Sequence, residues 1–367
     1  MSNIDRLLEE RDLPKLLWLN RGREVKTTRD FEKRREEIKK ILQEQEYGYL
    51  PLKPDHMRIE ELSVDESFCA GKAVLKCVKL VCQYEHGWEF SFPVYCSIPT
   101  KAGPHPAFVH INFSPNVPHK FQPTESIIDR GYAVFSFCHK DITSDDGDFK
   151  NGIAPRIASS RRKATSAGKL AMWAFAAMRV MDYIESLGEI DKSNVAVIGH
   201  SHLGKSALLA GGFDERFKYI ISNNSGCSGA ALTRGKIGEK VDMITSVFSH
   251  WFCPRYNKNA RKSAIPEGFD QHFLLALCVP RHLLVGSAEE DLWSDPASEF
   301  LSLVAVNEAY SLFGKRGLVH NDTIPVAKTV LAEGDAMYHI RQGKHYLGLE
   351  DWCAYMDYID RFVKGGN

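Results

Sequence analysis

From about residue 105 to the C-terminus, short β-branched runs alternate with segments of helical periodicity. That alternation implies a mostly parallel sheet covered by helices on both faces, a three-layer α/β sandwich. AFVHINF reads as a strand, and ESIIDRGYAVFSF as a helix, a glycine stop and a second strand. GKLAMWAFAAMRVMDYIESLG is a strongly apolar helix, FKYIISNNS and RHLLVGS are further strands, and EDWCAYMDYIDRFV closes the chain as a helix. Upstream, Val74 to Ile98 mixes polar with β-branched and aromatic residues, as antiparallel strands do. Residues 1–45 are charged and helix-like, with FEKRREEIKKILQEQE expected as a solvated amphipathic helix. The organisation expected is therefore a helical N-terminal segment, 1–45, packed on a single α/β domain, 46–367. In such sheets chemistry gathers at the carboxyl ends of the strands.

A chain of 367 residues can bury a substantial core. Its 47 basic residues balance 47 acidic ones, so no global field points to nucleic acid or to a membrane surface. No apolar run approaches the roughly 20 residues that span a bilayer. The charged start lacks the apolar stretch of a secretory signal, although a chain whose signal had been removed would begin the same way. Nine cysteines show no C-x-x-C spacing, which fits scattered thiols better than a disulfide framework or a zinc site. These features predict a cytoplasmic protein.

The stretch VAVIGHSHLGK, residues 195 to 205, carries the chemistry. A β-branched run ends in Gly199, Ser201 follows between two histidines, and SALLAGGF continues as a helix. A serine at a sharp strand-to-helix turn is held out of the sheet above the positive end of a helix dipole, as a nucleophile requires. Gly199 to Ser206 also fits the phosphate-cradling pattern G-x-x-x-x-G-K-S. That reading needs an acid at a neighbouring strand end to complete a magnesium site. The next strand instead runs into Asn223 and Asn224.

The hydrolase reading requires an acid and then a histidine downstream of the serine. RHLLVGS is followed by Glu289, Glu290, Asp291 and Asp295, and the loop before the last helix holds His339 and His345. His345, nearer that helix, is the expected base. Each residue alone means little, since most loop acids are solvated and many histidines only pack. Together and in order they carry the argument. One departure is that the strict elbow places glycine two residues after the serine, where this chain has Leu203 and then Gly204.

With that departure, Gly199, Ser201, Gly204 and Lys205 resemble the G-x-S-R-x-G-K motif of the glucuronoyl esterases, carbohydrate esterase family 15, in the α/β-hydrolase superfamily. The resemblance continues through NNSGCSGAAL, GEKVDMITSVFSHWFCP, DQHFLLALCVPRHLLVGSAEEDLWSDP and GKHYLGLEDW. It implies Ser201 as nucleophile and His345 as base. Fungal members place the acid at the position that is Asn224 here, an amide that cannot serve. Many bacterial members place it after the next strand, which points to Asp291, with Glu290 as the alternative and Asp295 as a structural acid. Lys205, Glu239 and Trp293 correspond to sugar-contacting positions.

The family's arginine after the nucleophile is His202 here, whose backbone N–H remains an oxyanion donor. Backbone donors in the INFSPNVP loop are further candidates for that role. The shorter, mostly neutral side chain of His202, in place of that arginine, implies weaker activity on uronate esters, or a different preferred ester. The implied function is a serine esterase cleaving esters of (4-O-methyl) glucuronic acid through an acyl-enzyme, on small carbohydrate substrates, without metal, organic cofactor or obligate protein partner. An acetyl xylan esterase and a catalytically weak carbohydrate-binding relative are the alternatives.

Overall fold

The structure is a computed structural model that describes residues 2–157 and 162–365. Two short strands, β1 (Trp18–Leu19) and β2 (Arg23–Glu24), form a hairpin near the N-terminus. The central sheet comprises β3 (His56–Asp65), β4 (Ala73–Gln83), β5 (Glu89–Pro99), β6 (His105–Asn112), β7 (Ala133–Cys138), β8 (Ile190–His200), β9 (Tyr219–Asn223), β10 (His282–Ala288), β11 (Thr329–Leu331) and β12 (Ala336–Arg341). Their order across the sheet is β11-β12-β10-β9-β8-β6-β7-β5-β4-β3. From β12 to β7 all neighbours run parallel, while β3 to β5 and β11 are antiparallel additions at the two edges. The alternation of strand and helix in the sequence thus produces the parallel centre, and the Val74–Ile98 region the antiparallel edge. Every residue of β7, β9, β10 and β12 is buried, as parallel strands covered on both faces must be.

Two apolar layers cover the sheet. On one face the helix Lys169–Ile184 is buried nearly all round, as its uniformly apolar sequence demands, and it packs with the helix His202–Phe213. On the other face Trp352, Tyr355 and Tyr358 of the helix Leu349–Val363 join Phe108 and Tyr132 in a second core.

The N-terminal segment departs from expectation in two ways. It is not wholly helical, because the β1–β2 hairpin separates the helices Asn3–Glu9 and Thr28–Leu42. Nor is the second helix simply solvated: Phe31, Ile38 and Leu42 enter the main core, and Arg34 and Arg35 are buried beside them. Arg34 donates to the Leu16 carbonyl at 2.9 Å and Arg35 to that of Val279 at 2.5 Å. A charge run read as surface is partly a set of backbone clamps. Among the described residues no helix is long and apolar enough to cross a membrane, and all nine cysteines are free thiols.

Candidate active site

Ser201 sits between β8 and the helix His202–Phe213 with φ 57° and ψ −131°, a left-handed backbone that a non-glycine residue adopts only under constraint. Its N–H donates to the Asn223 carbonyl on β9 at 2.9 Å, which anchors the turn to the sheet. Gly199 is required here, because a Cβ would stand 2.1 Å from the Leu203 carbonyl oxygen. Gly204 faces the Gly199 carbonyl and Ser225 from the other side, where a Cβ would lie 3.1 Å from each. Leu203, the residue that breaks the strict elbow pattern, is fully buried. The glycine one position later therefore provides the close helix–strand approach. His202 is the first residue of its helix, so its N–H has no intrahelical acceptor and is available to an anion.

The phosphate-loop reading is overturned by the same helix. Lys205 is buried, with its ammonium donating to the carbonyls of Ser225 and of Cys227, and the Ser206 hydroxyl donates to Leu170. Neither group can reach a nucleotide.

His345 lies in the loop after β12, and its Nδ1 is 2.6 Å from Asp291 Oδ2, beyond the end of β10. Asn224 donates its amide to the same oxygen at 2.9 Å. Burial would raise the Asp291 carboxyl. Bonds and charge from His345, with Ser294 and Asn224, outweigh it and hold the carboxyl down at about 2. Asp291 is therefore an anion at neutral pH and accepts the His345 Nδ1–H, leaving the Nε2 lone pair free. Arg341 fixes the loop: one guanidinium nitrogen donates to the carbonyls of Lys344 and Tyr346, on either side of His345, each at 2.6 Å. Asp351 holds Arg341 in turn at 3.0 Å. The His345 ring packs on His200, the residue before Ser201, with centroids 4.6 Å apart. Burial and the facing His345 push the His200 imidazole down to about 3 against the pull of Asn223, so it is a neutral wall.

The remaining predicted residues separate clearly. Glu290 is exposed, with its backbone tied to Gly343, and among the described residues forms no hydrogen bond or ion pair with His345. Asp295 caps the helix Pro296–Ala305 through Ser298. His339 is buried in β12 against Asp351 at 2.8 Å. Lys205, expected to contact the sugar, is buried, with its ammonium donating to two carbonyls of the 225–227 loop. Glu239 and Trp293 are neighbours through a 3.0 Å backbone bond, and Trp293 is 53 % exposed. In the loop after β6, expected to add an oxyanion donor, the Phe113 N–H is taken by Asn112 and that of Asn116 by Ser114.

The His202 ring turns into a pocket of Phe113, Trp173 and Trp251, stacking on Trp251 at 4.6 Å. Burial and neighbouring His139 drive its pKa well below the usual histidine value despite Asp145. Sequence reasoning missed His139, Asp145 and His250 around it. The signal was FCHKDITSDD, a histidine and an acid just past a strand end.

Comparison with known proteins places this geometry. A family model described as glucuronyl esterase, fungi, matches residues 81–314. A carbohydrate esterase from an unknown prokaryotic organism is 40% identical over 246 residues, 66% of this chain and 56% of that relative. The chain thus spans little more than half the length of that relative. A 4-O-methyl-glucuronoyl methylesterase of Neurospora crassa is 28% identical over 305 residues, covering 80% of this chain and 71% of its own. A solved glucuronoyl esterase from Solibacter usitatus superposes with a TM-score of 0.87 at 33% identity, over 95% of this chain and 97% of that one.

Proposed function

We propose, from the premise that the chain belongs to the glucuronoyl esterase family, carbohydrate esterase family 15, that it hydrolyses carboxyl esters of (4-O-methyl) glucuronic acid on small xylan-derived sugars. The observation that carries this reading is the strained Ser201 turn, whose preceding residue, His200, packs on an imidazole with its Nδ1 held by an ionised aspartate. His345 Nε2 takes the proton from Ser201 as the hydroxyl attacks the ester carbonyl. The His202 N–H receives the developing oxyanion. The alcohol departs with the proton from His345, which then activates water to release the acid. Trp293 offers the sugar an apolar face and Glu239 a hydrogen-bond acceptor. A relative named 4-O-methyl-glucuronoyl methylesterase supports the uronate as the acyl part. Nine free thiols favour a reducing compartment, and short imported oligosaccharides as substrates.

The test compares methanol release from methyl glucuronate with acetate release from an acetylated xylo-oligosaccharide. Methanol release should be faster, and Ser201→Ala should lower its kcat by roughly 10⁶-fold. Faster acetate release, or turnover that survives Ser201→Ala, overturns the reading.

A further inference from the structure

The pocket that receives the His202 side chain holds more ionisable groups than packing needs. His139 Nε2 and His202 Nε2 stand 3.7 and 3.6 Å from the same oxygen, Asp145 Oδ2. The three donor atoms all lie within 4.8 Å of one another. These separations exceed a hydrogen bond, and among the described residues neither nitrogen has a hydrogen-bond partner although both are buried. His139 is 1% exposed. Burying polar atoms this way costs free energy unless something pairs with them.

We propose that His139, Asp145 and His202 form a binding site for a divalent cation of the zinc class. Donors about 2.0–2.2 Å from a tetrahedral ion lie roughly 3.3–3.5 Å apart, so each histidine needs to approach the Asp145 oxygen by only a few tenths of an ångström, and the two imidazole nitrogens, within 4.8 Å of each other, close by rotation of their rings. Two imidazoles, one carboxylate and an open fourth position suit a borderline ion better than calcium or magnesium, which prefer oxygen. The surroundings are arranged as a metal's outer shell is. His139 Nδ1 lies 3.2 Å from the Asn112 carbonyl, which takes its proton and points the Nε2 lone pair at Asp145. The other carboxylate oxygen, Oδ1, accepts from Trp251 at 2.7 Å and from His250 at 3.0 Å. Phe113, Trp173 and Trp251 supply an apolar wall. An ion here would tie the segment after β7 to the first residue of the nucleophile helix. This inference goes beyond the esterase reading and does not depend on it.

The test is calorimetric titration of the chelator-treated full chain with Zn²⁺, together with zinc-edge X-ray absorption of the loaded wild type. One ion per chain, coordinated by two imidazoles, is expected. His139→Gln and His202→Gln should each weaken binding by about 100-fold or more, whereas His56→Gln, at an exposed histidine, should leave it unchanged. Absence of a saturable single site, or absorption without imidazole ligation, overturns the proposal on wild-type protein alone. Binding unaltered in both ligand variants overturns it as well. Esterase activity is measured in parallel, so failure here and failure of the ester reading are distinguished.

Discussion

Two aspartates, Asp291 buried and Asp145 partly buried, face imidazoles next to the Ser201 turn, and they are wired differently. His200, before the serine, packs on His345 and so on the Asp291 pair; His202, after it, turns toward Asp145. In the first pair a 2.6 Å bond assigns the Nδ1 proton and leaves one nitrogen of a half-exposed ring for chemistry. In the second, contacts of 3.6 and 3.7 Å leave two nitrogens aimed at a carboxylate with no proton assigned between them. The same side chains build a proton relay where one imidazole meets one carboxylate and water can enter. Where several imidazoles converge in an apolar wall, they build a receptor for positive charge.

The largest effect that can break this comparison is at Asp291. Replacing it with Asn removes the anion that orients His345, and kcat should fall by about 10⁴-fold with little change in KM. A loss under tenfold would hand the orienting role to another group.

Glu299 sharpens the contrast, since it is a buried acid near Asp291 that makes no ion pair among the described residues, Lys236 acting on it only from a distance. Burial pushes its carboxyl up from 4.5 to about 7, against bonds from Ser287 and Gly226. The folded state therefore holds a proton that the unfolded chain releases above 4.5. This group's contribution is greatest below that value and is lost as pH rises toward 7. Glu299→Gln mimics the protonated acid, so the variant should lack that slope and exceed the wild type at pH 8 by at most about 3 kcal/mol in urea unfolding. Parallel pH profiles for the two proteins would contradict it.

Asn224 and His345 meet the same Asp291 oxygen, so a carboxylate at 224 tests a second approach to that imidazole. Asn224→Asp in the Asp291→Asn background should restore roughly 10–100-fold of the lost kcat, a fraction of the orienting effect. No recovery would mean that only the approach from β10 orients the ring. The smallest effect is expected at the rim: Trp293→Ala should raise KM for a uronate ester several-fold, about 1 kcal/mol of stacking, with kcat nearly unchanged. A fall in kcat alone would place Trp293 in the chemical step.

Much of this architecture was legible because periodicity reports burial. The fully apolar Lys169–Ile184 helix, the parallel strands and the Ser201 turn each carry a local signature. Arg34 and Arg35 were misread for the same reason, since a charged letter implies solvent and nothing local reveals a backbone carbonyl waiting 2.5–3 Å away. His139 and Asp145 went unread because they acquire meaning only beside His202 and His250, which lie 57 to 111 positions later in the chain.

By itself, the order of residues determined the strand–serine–helix turn, the layered sheet, and that an acid and a histidine would follow at strand ends. These are short-range properties of φ/ψ preference and apolar spacing. Tertiary structure decided which acid, which histidine, and what became of the cations. Hydrogen bonds depend on tenths of an ångström between groups far apart in sequence, and only the packed sheet sets those distances.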